Sequence, residues 1–382
     1  MRRAWRESRA AGGCLSILIA TACEGDSITR SIALARLAEC NVTSSAAVME
    51  PRRVPVDSAV LVEGAGQFPV LARVGSEVFA VFRGRGAHVG LDGRIDVVVA
   101  DDGARNARHR AVAVDGPLDD RNPALGVTRS GSLLLAYTVL DAYDETGVFR
   151  MERARLRSFI TRSADRGLTW STPVALDITP FEWSSPFGKI VSHGDELVLA
   201  MYGGFYPVFS NENKTTDRVG FFAFVIRSGD DGRTWSRPEV IAQGFSEPAL
   251  LALTPDEMLA VLRSQQDNRL VLARWTRGQS AWSVGCALTR GGEVPGDLVR
   301  LPSGAVMLTY GHRTPPYGVH ARLSADAGRT WSDAIALAHG VDAADLGYPS
   351  SVALGSRVLT AYYRDSGARR ELVLVRSEPD AR

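Results

Sequence analysis

The side chains best suited to chemistry occupy matching positions in a recurring pattern. Glu247 and Tyr348 each precede a proline, while Arg263 and Arg313 lie at the ends of β-rich segments that follow such prolines. Guanidinium groups hold carboxylates through paired hydrogen bonds, a geometry that lysine cannot supply. A carboxylate, a tyrosine and several arginines that converge on one axis would therefore form a reactive or anion-binding site.

A sixfold repeat places these residues. In each copy a proline, a short apolar segment and a turn lead into an alternating β-rich strand, at intervals of 48 to 64 residues. The six prolines are Pro69, Pro123, Pro186, Pro248, Pro295 and Pro349. Six hairpins at a period near that of a four-stranded blade predict an all-β fold, a six-bladed β-propeller formed by residues 55–378 as a single domain. Since no complete blade follows residue 365, we expect N-terminal and C-terminal strands to close one sheet together.

In a propeller the innermost strand of each blade lines the central channel. The residues just before the six prolines should therefore cluster near one mouth of that channel. They are Gln67 and Phe68, Arg121 and Asn122, Ser184 and Ser185, Glu247, Gly296 and Asp297, and Tyr348. The ends of the second strands add Arg83, Tyr137, Tyr202, Arg263, Arg313 and Tyr363.

A second motif, S-x-D-x-G-x-T-W, supports the same period. Intact copies span residues 163–170, 228–235 and 324–331, and a remnant ends at Trp282. This is the Asp-box, a tight hairpin in which the Asp accepts local backbone N–H bonds, the Gly permits positive φ and the Trp packs between blades. We expect these hairpins to be structural, and we assign none of their residues to catalysis.

Composition excludes several classes of partner. The 44 basic and 43 acidic side chains give a net charge of +1, which removes the electrostatic case for binding nucleic acid. No apolar run is long enough to span a bilayer, and nothing indicates an oligomeric state. The six histidines show no metal-binding spacing, and Cys286 is the one cysteine beyond residue 50. We therefore predict no disulfide framework, no metal site and no cofactor.

The N-terminal segment, residues 1–50, differs from the rest of the chain. A basic start precedes the apolar stretch Cys14–Ala20, and Ala20-Thr21-Ala22 is similar to a signal cleavage site. If residues 1–22 are a signal peptide, the protein is secreted. The alternative is a disordered or over-extended segment with translation starting near Met49, which would leave the protein cytoplasmic.

Together these motifs resemble the sialidase (neuraminidase) superfamily of the bacterial BNR-repeat type, over about residues 60–378. The resemblance rests on the Asp-boxes and on the ordered series Asp92, Glu247, Arg263, Arg313 and Tyr348. It implies an exo-glycoside hydrolase whose carbohydrate substrate ends in an acidic sugar. It also implies that Tyr348 is the nucleophile, Glu247 its polarising base and Asp92 the acid/base, with the arginines clamping the substrate carboxylate.

The implied roles fit a sugar that carries a carboxylate on its anomeric carbon. Such a sugar repels an anionic nucleophile, whereas a neutral phenol deprotonated by Glu247 avoids the repulsion, which is why sialidases depart from the two-carboxylate rule. Arg263 and Arg313 would hold the carboxylate. Asp92 would protonate the leaving oxygen and later activate water.

The sequence departs from the family pattern in the first blade. Where sialidases have Arg-x-Pro, this chain has Gln67-Phe68-Pro69, so the clamp holds two arginines unless Arg121 or Arg83 reaches in. A glutamine offers amide donors and an acceptor but no charge, which suits a hydroxyl or amide better than a carboxylate. We therefore expect weak or absent activity on simple sialosides.

Several alternatives stay open. His88 is a second candidate for the acid/base, and Tyr362 or Tyr363 for the reactive phenol. The same propeller would suit another glycosidase, or a lyase of uronic-acid polysaccharides that uses His88 and a tyrosine as acid and base. A non-catalytic carbohydrate-binding propeller is the third class, since Asp-boxes also occur in proteins without catalytic activity.

Overall fold

The computed structural model describes residue 40 and residues 51–54, 56–86, 88, 90–101, 107–206 and 220–379. All of them belong to one compact unit, Leu34–Arg382. Apart from Cys40, the segment 1–50, for which we expected a signal peptide or disorder, lies outside the described residues. Within the described part the one helix is a 3-10 turn at Met151–Arg153, and no helix there could cross a membrane.

Six blades of four strands each, numbered in chain order, make up the described fold. The first blade is β3 (Gln67–Val74), β4 (Glu77–Arg83), β5 (Ile95–Asp101) and β6 (Arg108–Val114), and the second is β7 (Asp119–Val127), β8 (Leu133–Asp141), β9 (Arg155–Ser163) and β10 (Val174–Ala175). The third is β11 (Trp183–His193), β12 (Glu196–Gly204), β13 (Phe221–Ser228) and β14 (Glu239–Gln243), and the fourth is β15 (Phe245–Thr254), β16 (Glu257–Ser264), β17 (Leu270–Thr276) and β18 (Ser283–Ala287). The fifth is β19 (Glu293–Arg300), β20 (Val306–His312), β21 (Gly318–Ser324) and β22 (Ile335–His339), and the sixth is β23 (Asp345–Leu354), β24 (Arg357–Asp365), β25 (Arg370–Ser377) and β2 (Val56–Glu63). The short β1 (Arg52–Arg53) pairs in parallel with β22.

The ring closes through the sixth blade, as the sequence predicts. Its outer strand β2 comes from the N-terminal side and pairs antiparallel with β25. The inner strands β3, β7, β11, β15, β19 and β23 contact one another in cyclic order, with β23 beside β3. Between the second and third blades, β7 and β11 even pair in parallel, with Ala124 opposite Gly188. Gly126 permits this approach, because a Cβ there would lie 2.5 Å from Ile190 Cβ.

Buried apolar clusters fill all six interfaces between neighbouring blades, including the one between the sixth and the first. The middle strands are covered on both faces and consist of nearly continuous apolar runs. In β4, Val78–Phe82 is at most 4% exposed at every residue. Burial of one such side chain contributes about 1.5–3 kcal/mol, so these interfaces hold the ring together.

The three S-x-D-x-G-x-T-W turns follow the third strands β9, β13 and β21. In the first, Asp165 Oδ1 accepts the Thr169 N–H at 2.9 Å and Oδ2 accepts the Thr169 hydroxyl at 2.6 Å. These hydrogen bonds lower the pKa of Asp165 to about 2. The same bonds recur in the other two turns. Their tryptophans pack into the apolar clusters shared with the preceding blade, so the turns have the structural role that the sequence predicts.

The expectation of an unpaired Cys286 is wrong. This residue of β18 forms a disulfide with Cys40, with 4.8 Å between the two Cα atoms. Cys40 is 4% exposed, and its N–H donates to the carbonyl oxygen of Ala287 at 2.9 Å. Cys40 lies outside the predicted propeller, residues 55–378, so the repeat pattern gives no reason to pair it with Cys286. The partners lie 246 residues apart, a separation that no motif reveals.

Replacing Cys40 and Cys286 together by serine should lower the free energy of unfolding by about 2–4 kcal/mol, because the cross-link restricts the unfolded chain. Guanidinium unfolding without reductant measures the difference between the variant and the wild type. Reductant should bring the wild type to the stability of the variant. Equal unfolding midpoints for the two proteins without reductant would contradict the cross-link.

Candidate active site

Every inner strand has an interruption in its pairing with the second strand. In β3 the register shifts between Gln67 and Val70, across Pro69, and equivalent shifts occur in all six blades. Proline has no N–H to donate, so it is tolerated where the ladder is broken. Such bulges re-aim neighbouring side chains. The recurring prolines therefore mark the positions where each blade turns side chains toward the channel.

Four residues that precede these prolines have a left-handed backbone. The φ angles are 56° at Phe68, 48° at Asn122, 47° at Glu247 and 48° at Tyr348. Positive φ is unfavourable for residues with a side chain, and it costs about 1–3 kcal/mol at each position. Strain of this kind persists where the surrounding structure enforces it, and it is concentrated at functional sites.

Three of these residues, Phe68, Asn122 and Tyr348, line a recess on the propeller axis. Three aromatic side chains, four prolines, Asn122 and Asp297 contribute to its lining, the aromatics being Phe68, Phe187 and Tyr348. Lys189, one of two lysines in the chain, donates from Nζ to both oxygens of Asp297, at 2.8 and 2.6 Å. This ion pair ties the third blade to the fifth. Among the predicted catalytic residues, Tyr348 lines the recess directly.

Tyr348 and Glu247 form a close phenol–carboxylate pair. The Tyr348 hydroxyl donates to Glu247 Oε1 at 2.5 Å, and Arg263 Nη1 donates to Glu247 Oε2 at 2.9 Å. Burial, and next the negative charge of Glu247, raise the pKa of Tyr348 well above its usual range, although Arg263 and Arg313 oppose this. Burial works to lower the pKa of Arg263, but Glu247 and Tyr348 raise it overall. The phenol is therefore neutral at rest, within reach of a base.

Two further guanidinium groups flank the aromatic side chains at the mouth. Arg313 Cζ lies 5.3 Å from the centre of the Tyr348 ring, and Arg313 Nε donates to the carbonyl of Leu346 at 2.8 Å. The buried Nη2 of Arg313 has no hydrogen-bond partner among the described residues, so one donor of this guanidinium is unpaired there. Arg121 Cζ lies 5.3 Å from the Phe68 ring, and its Nη1 donates to Asp119 Oδ2 at 3.3 Å.

His88 lies beside this site in a second polar cluster. Its Nδ1 is 3.2 Å from Asp345 Oδ2 and 3.4 Å from the Tyr363 hydroxyl, which donates to Asp345 Oδ1 at 2.5 Å. The His88 ring packs edge-on against Phe68, which in turn contacts Tyr348. Burial alone would raise the pKa of Asp345, but the bonds from His88 and Tyr363 lower it. Sequence reasoning missed Asp345, whose one signal was its position three residues before Tyr348.

Gln67 and Arg83 are placed behind the site, which corrects the expectation that they face the substrate. Gln67 is 1% exposed, and its amide donates to Asp365 Oδ2 at 3.2 Å. Arg83 is fully buried and donates from Nε and Nη2 to Asp119 Oδ1 and from Nη1 to the carbonyl of Arg85. Because internal acceptors take these donors, Phe68 is the residue that β3 presents to the recess.

The remaining predicted residues differ in how close they lie to Tyr348. Asp92 lies exposed in the loop between β4 and β5. It packs closely on Gly86, since its Oδ1 is 2.4 Å from the position that a Cβ on this glycine would occupy. Tyr363 is adjacent to Tyr348, with 5.8 Å between the ring centres. Tyr362 instead packs in the apolar cluster between the fifth and sixth blades. The alternative in which Tyr362 is the reactive phenol is therefore wrong.

Solved structures share this fold at low sequence identity. A protein of unknown function from Dyadobacter fermentans has a TM-score of 0.67 at 19% identity, covering 85% of this chain and 99% of that one. For the Hadza microbial sialidase Hz136 the TM-score is 0.64 at 16% identity, covering 82% of this chain and 66% of that one. Trypanosoma rangeli sialidase gives 0.61 at 14%, covering 82% of this chain and 55% of that one. This chain thus spans about half to two thirds of those two sialidases, and the likeness establishes the fold alone.

The search of curated proteins finds no match. The model of the BNR repeat-like domain family, however, matches residues 92–377. That range holds the second to fifth blades, three strands of the sixth and most of the site residues, and the solved sialidases share the same architecture. The protein therefore belongs to the BNR repeat-like domain family and has a sialidase-like β-propeller fold.

Proposed function

We propose that this protein is a retaining exo-glycoside hydrolase that uses Tyr348 as its nucleophile on a terminal acidic sugar. The observation that carries the proposal is the 2.5 Å hydrogen bond from the Tyr348 hydroxyl to Glu247. A nucleophile within hydrogen-bond reach of a base, which is itself oriented by a third group, is the arrangement of covalent catalysis. Arg263 supplies the third group through its bond to Glu247.

The proposed reaction has two displacements. Tyr348 Oη attacks the anomeric carbon while its proton passes to Glu247, and the departing aglycone oxygen takes a proton from Asp92. Asp92 then deprotonates a water that attacks the same carbon, and the Tyr348 oxygen leaves and regains its proton from Glu247. One water is consumed, and two inversions retain the anomeric configuration.

The charges around the phenol support an anionic substrate. Arg263 and Arg313 both lie close enough to Tyr348 to lower the pKa of its phenol against the effect of burial. Because Arg313 Nη2 is buried without a partner among the described residues, a substrate carboxylate there would satisfy it. Trypanosoma rangeli sialidase has been solved with 2,3-difluorosialic acid as a covalent intermediate, which supports a covalent route on this fold.

Tyr348→Phe should reduce kcat by at least about 1,000-fold with little change in KM, because the nucleophile is lost while binding groups stay. The assay is steady-state hydrolysis of fluorogenic glycosides of sialic, ulosonic and uronic acids. Tyr362→Phe is the matched control, since it removes a phenol hydroxyl from a buried tyrosine away from the site. A Tyr348→Phe enzyme with more than a tenth of the wild-type kcat would overturn the nucleophile assignment.

Asp92→Asn should slow hydrolysis most for substrates with alkyl leaving groups and least for activated aryl ones, because only a poor leaving group needs full protonation. Comparing kcat/KM for an alkyl and an aryl glycoside of the same sugar measures this. His88→Asn is tested on the same pair, because its contacts with Asp345 and Phe68 make it the second candidate. If the leaving-group dependence is found in His88→Asn and not in Asp92→Asn, the acid/base is His88.

Gln67→Arg should not raise kcat/KM on a simple sialoside, because Gln67 is 1% exposed and its amide donates to Asp365 behind the recess. Arg313→Gln, which removes a guanidinium beside the Tyr348 ring, should instead lower kcat/KM by about 10–100-fold, since a charge-assisted hydrogen bond is worth about 1.5–3 kcal/mol. Steady-state hydrolysis compares both variants with the wild type. A rise of kcat/KM in Gln67→Arg would show that position 67 reaches the substrate, contrary to this placement.

A lyase acting on a uronic acid is the second candidate. The observation that favours it is the pairing of His88 with Tyr363, 3.4 Å apart at the edge of the site. One group would remove the proton next to the sugar carboxylate and the other would protonate the departing oxygen, without water. Such a reaction leaves a conjugated double bond, so ultraviolet absorbance of the products of a uronic-acid polysaccharide separates the two candidates.

A further inference from the structure

Glu293, His312 and His320, none of which is assigned a role above, come together at one end of the fifth blade. Glu293 begins β19 and is paired with His312 at the end of β20, while His312 is paired with Gly318 in β21, two residues before His320. The two histidines are thus diagonal neighbours on the same face of the sheet. Their rings stack with 4.4 Å between centres, and His312 Nδ1 lies 3.1 Å from Glu293 Oε1.

The imidazole of His320 is buried without hydrogen-bond partners among the described residues. It is 4% exposed, and neither ring nitrogen has a hydrogen-bond partner among the described residues. A neutral imidazole carries one N–H donor and one lone pair, and buried polar atoms in folded proteins are nearly always paired. The protein supplies no partner for that lone pair in the described part, although a carboxylate and a second imidazole stand next to it.

We infer that Glu293, His312 and His320 bind a divalent transition-metal ion of the Zn²⁺ type. One ligand atom from each residue lies within 4.8 Å of the others, so small side-chain rotations would bring all three to metal–ligand distances of about 2.0–2.2 Å. Two imidazoles with one carboxylate form a set that Zn²⁺ uses, whereas Ca²⁺ and Mg²⁺ select oxygen ligands.

The surrounding bonds orient the ligand atoms. The Thr314 hydroxyl lies 3.3 Å from His312 Nε2, which leaves Nδ1 of that ring directed at Glu293. Glu293 Oε2 accepts the backbone N–H of Arg290 at 2.7 Å, which fixes the carboxylate and directs Oε1 toward His312. The nearby Arg322 donates from Nη1 to the carbonyl of Ser332 at 2.8 Å. The side chain of His312 is 17% exposed, which gives an ion a way in.

An ion bound here would also help to position Arg313, and the importance of that effect rests on the proposed function. Arg313 follows His312 directly, and Glu293 lies at the start of the strand that carries Asp297 into the recess. An ion that joins β19, β20 and β21 would hold the ends of the strands that position Arg313. Metal binding itself is measured without any assay of activity, so its failure is distinguishable from failure of the proposed hydrolase.

The experiment is equilibrium metal binding to the full chain after chelator treatment. Wild-type protein, dialysed against Zn²⁺, should retain one ion per chain by elemental analysis, and Co²⁺ should give the visible absorption of a four-coordinate site. Glu293→Gln and His312→Gln should each weaken Co²⁺ binding by at least about 100-fold, since even outer-shell partners are worth about 10–100-fold. His109→Gln, on an exposed histidine of the first blade, is the matched control and should bind as the wild type does.

Circular dichroism of each variant confirms that it is folded before binding is compared. Retention of less than a tenth of an ion per wild-type chain would overturn the inference, whatever the variants do. So would unchanged Co²⁺ affinity in folded Glu293→Gln and His312→Gln.

Discussion

The hydrogen bond from the Tyr348 phenol to the Glu247 carboxylate joins the sixth blade to the fourth, and the proposed chemistry depends on it. Both residues precede prolines at bulges and both have a left-handed backbone. In a regular strand neither side chain would have this direction. The apolar clusters between the blades enforce the strained geometry, so the packing of the whole ring determines the distance between nucleophile and base.

Charge balance follows from the same arrangement. Burial and the carboxylate of Glu247 hold the pKa of Tyr348 high, while Arg263 and Arg313 act in the opposite direction. At rest the phenol is therefore neutral and does not repel an anionic sugar. During the reaction the two guanidinium groups stabilise the negative charge that develops on the phenol oxygen. On the axis, Lys189 and Asp297 neutralise each other through their ion pair. The recess thus keeps its positive charge where a carboxylate would bind.

The repeat made the propeller and much of the site predictable from the sequence. Each X-Pro step marks a bulge, so the spacing of the prolines placed Glu247 and Tyr348 at one mouth, and Arg263 sixteen residues after Glu247 falls opposite it across a hairpin. The direction of individual side chains was harder to predict from the sequence. Gln67 and Phe68 are neighbours on opposite sides of β3, and only the backbone geometry shows that Phe68 faces the recess and Gln67 does not. Contacts between distant segments, such as Cys40 with Cys286 and His88 with Asp345, carry no periodic signal.

Covalent trapping tests the role of Tyr348 most directly. The protein is incubated with fluorinated glycosyl fluorides of sialic, ulosonic and uronic acids, which form glycosyl–enzyme intermediates that hydrolyse slowly, and the labelled peptide is located by mass spectrometry. A nucleophilic Tyr348 predicts the mass of one glycosyl group on the peptide that contains Tyr348, with the label on its phenol oxygen. A label on a different residue, in protein that hydrolyses the corresponding glycoside, would contradict it.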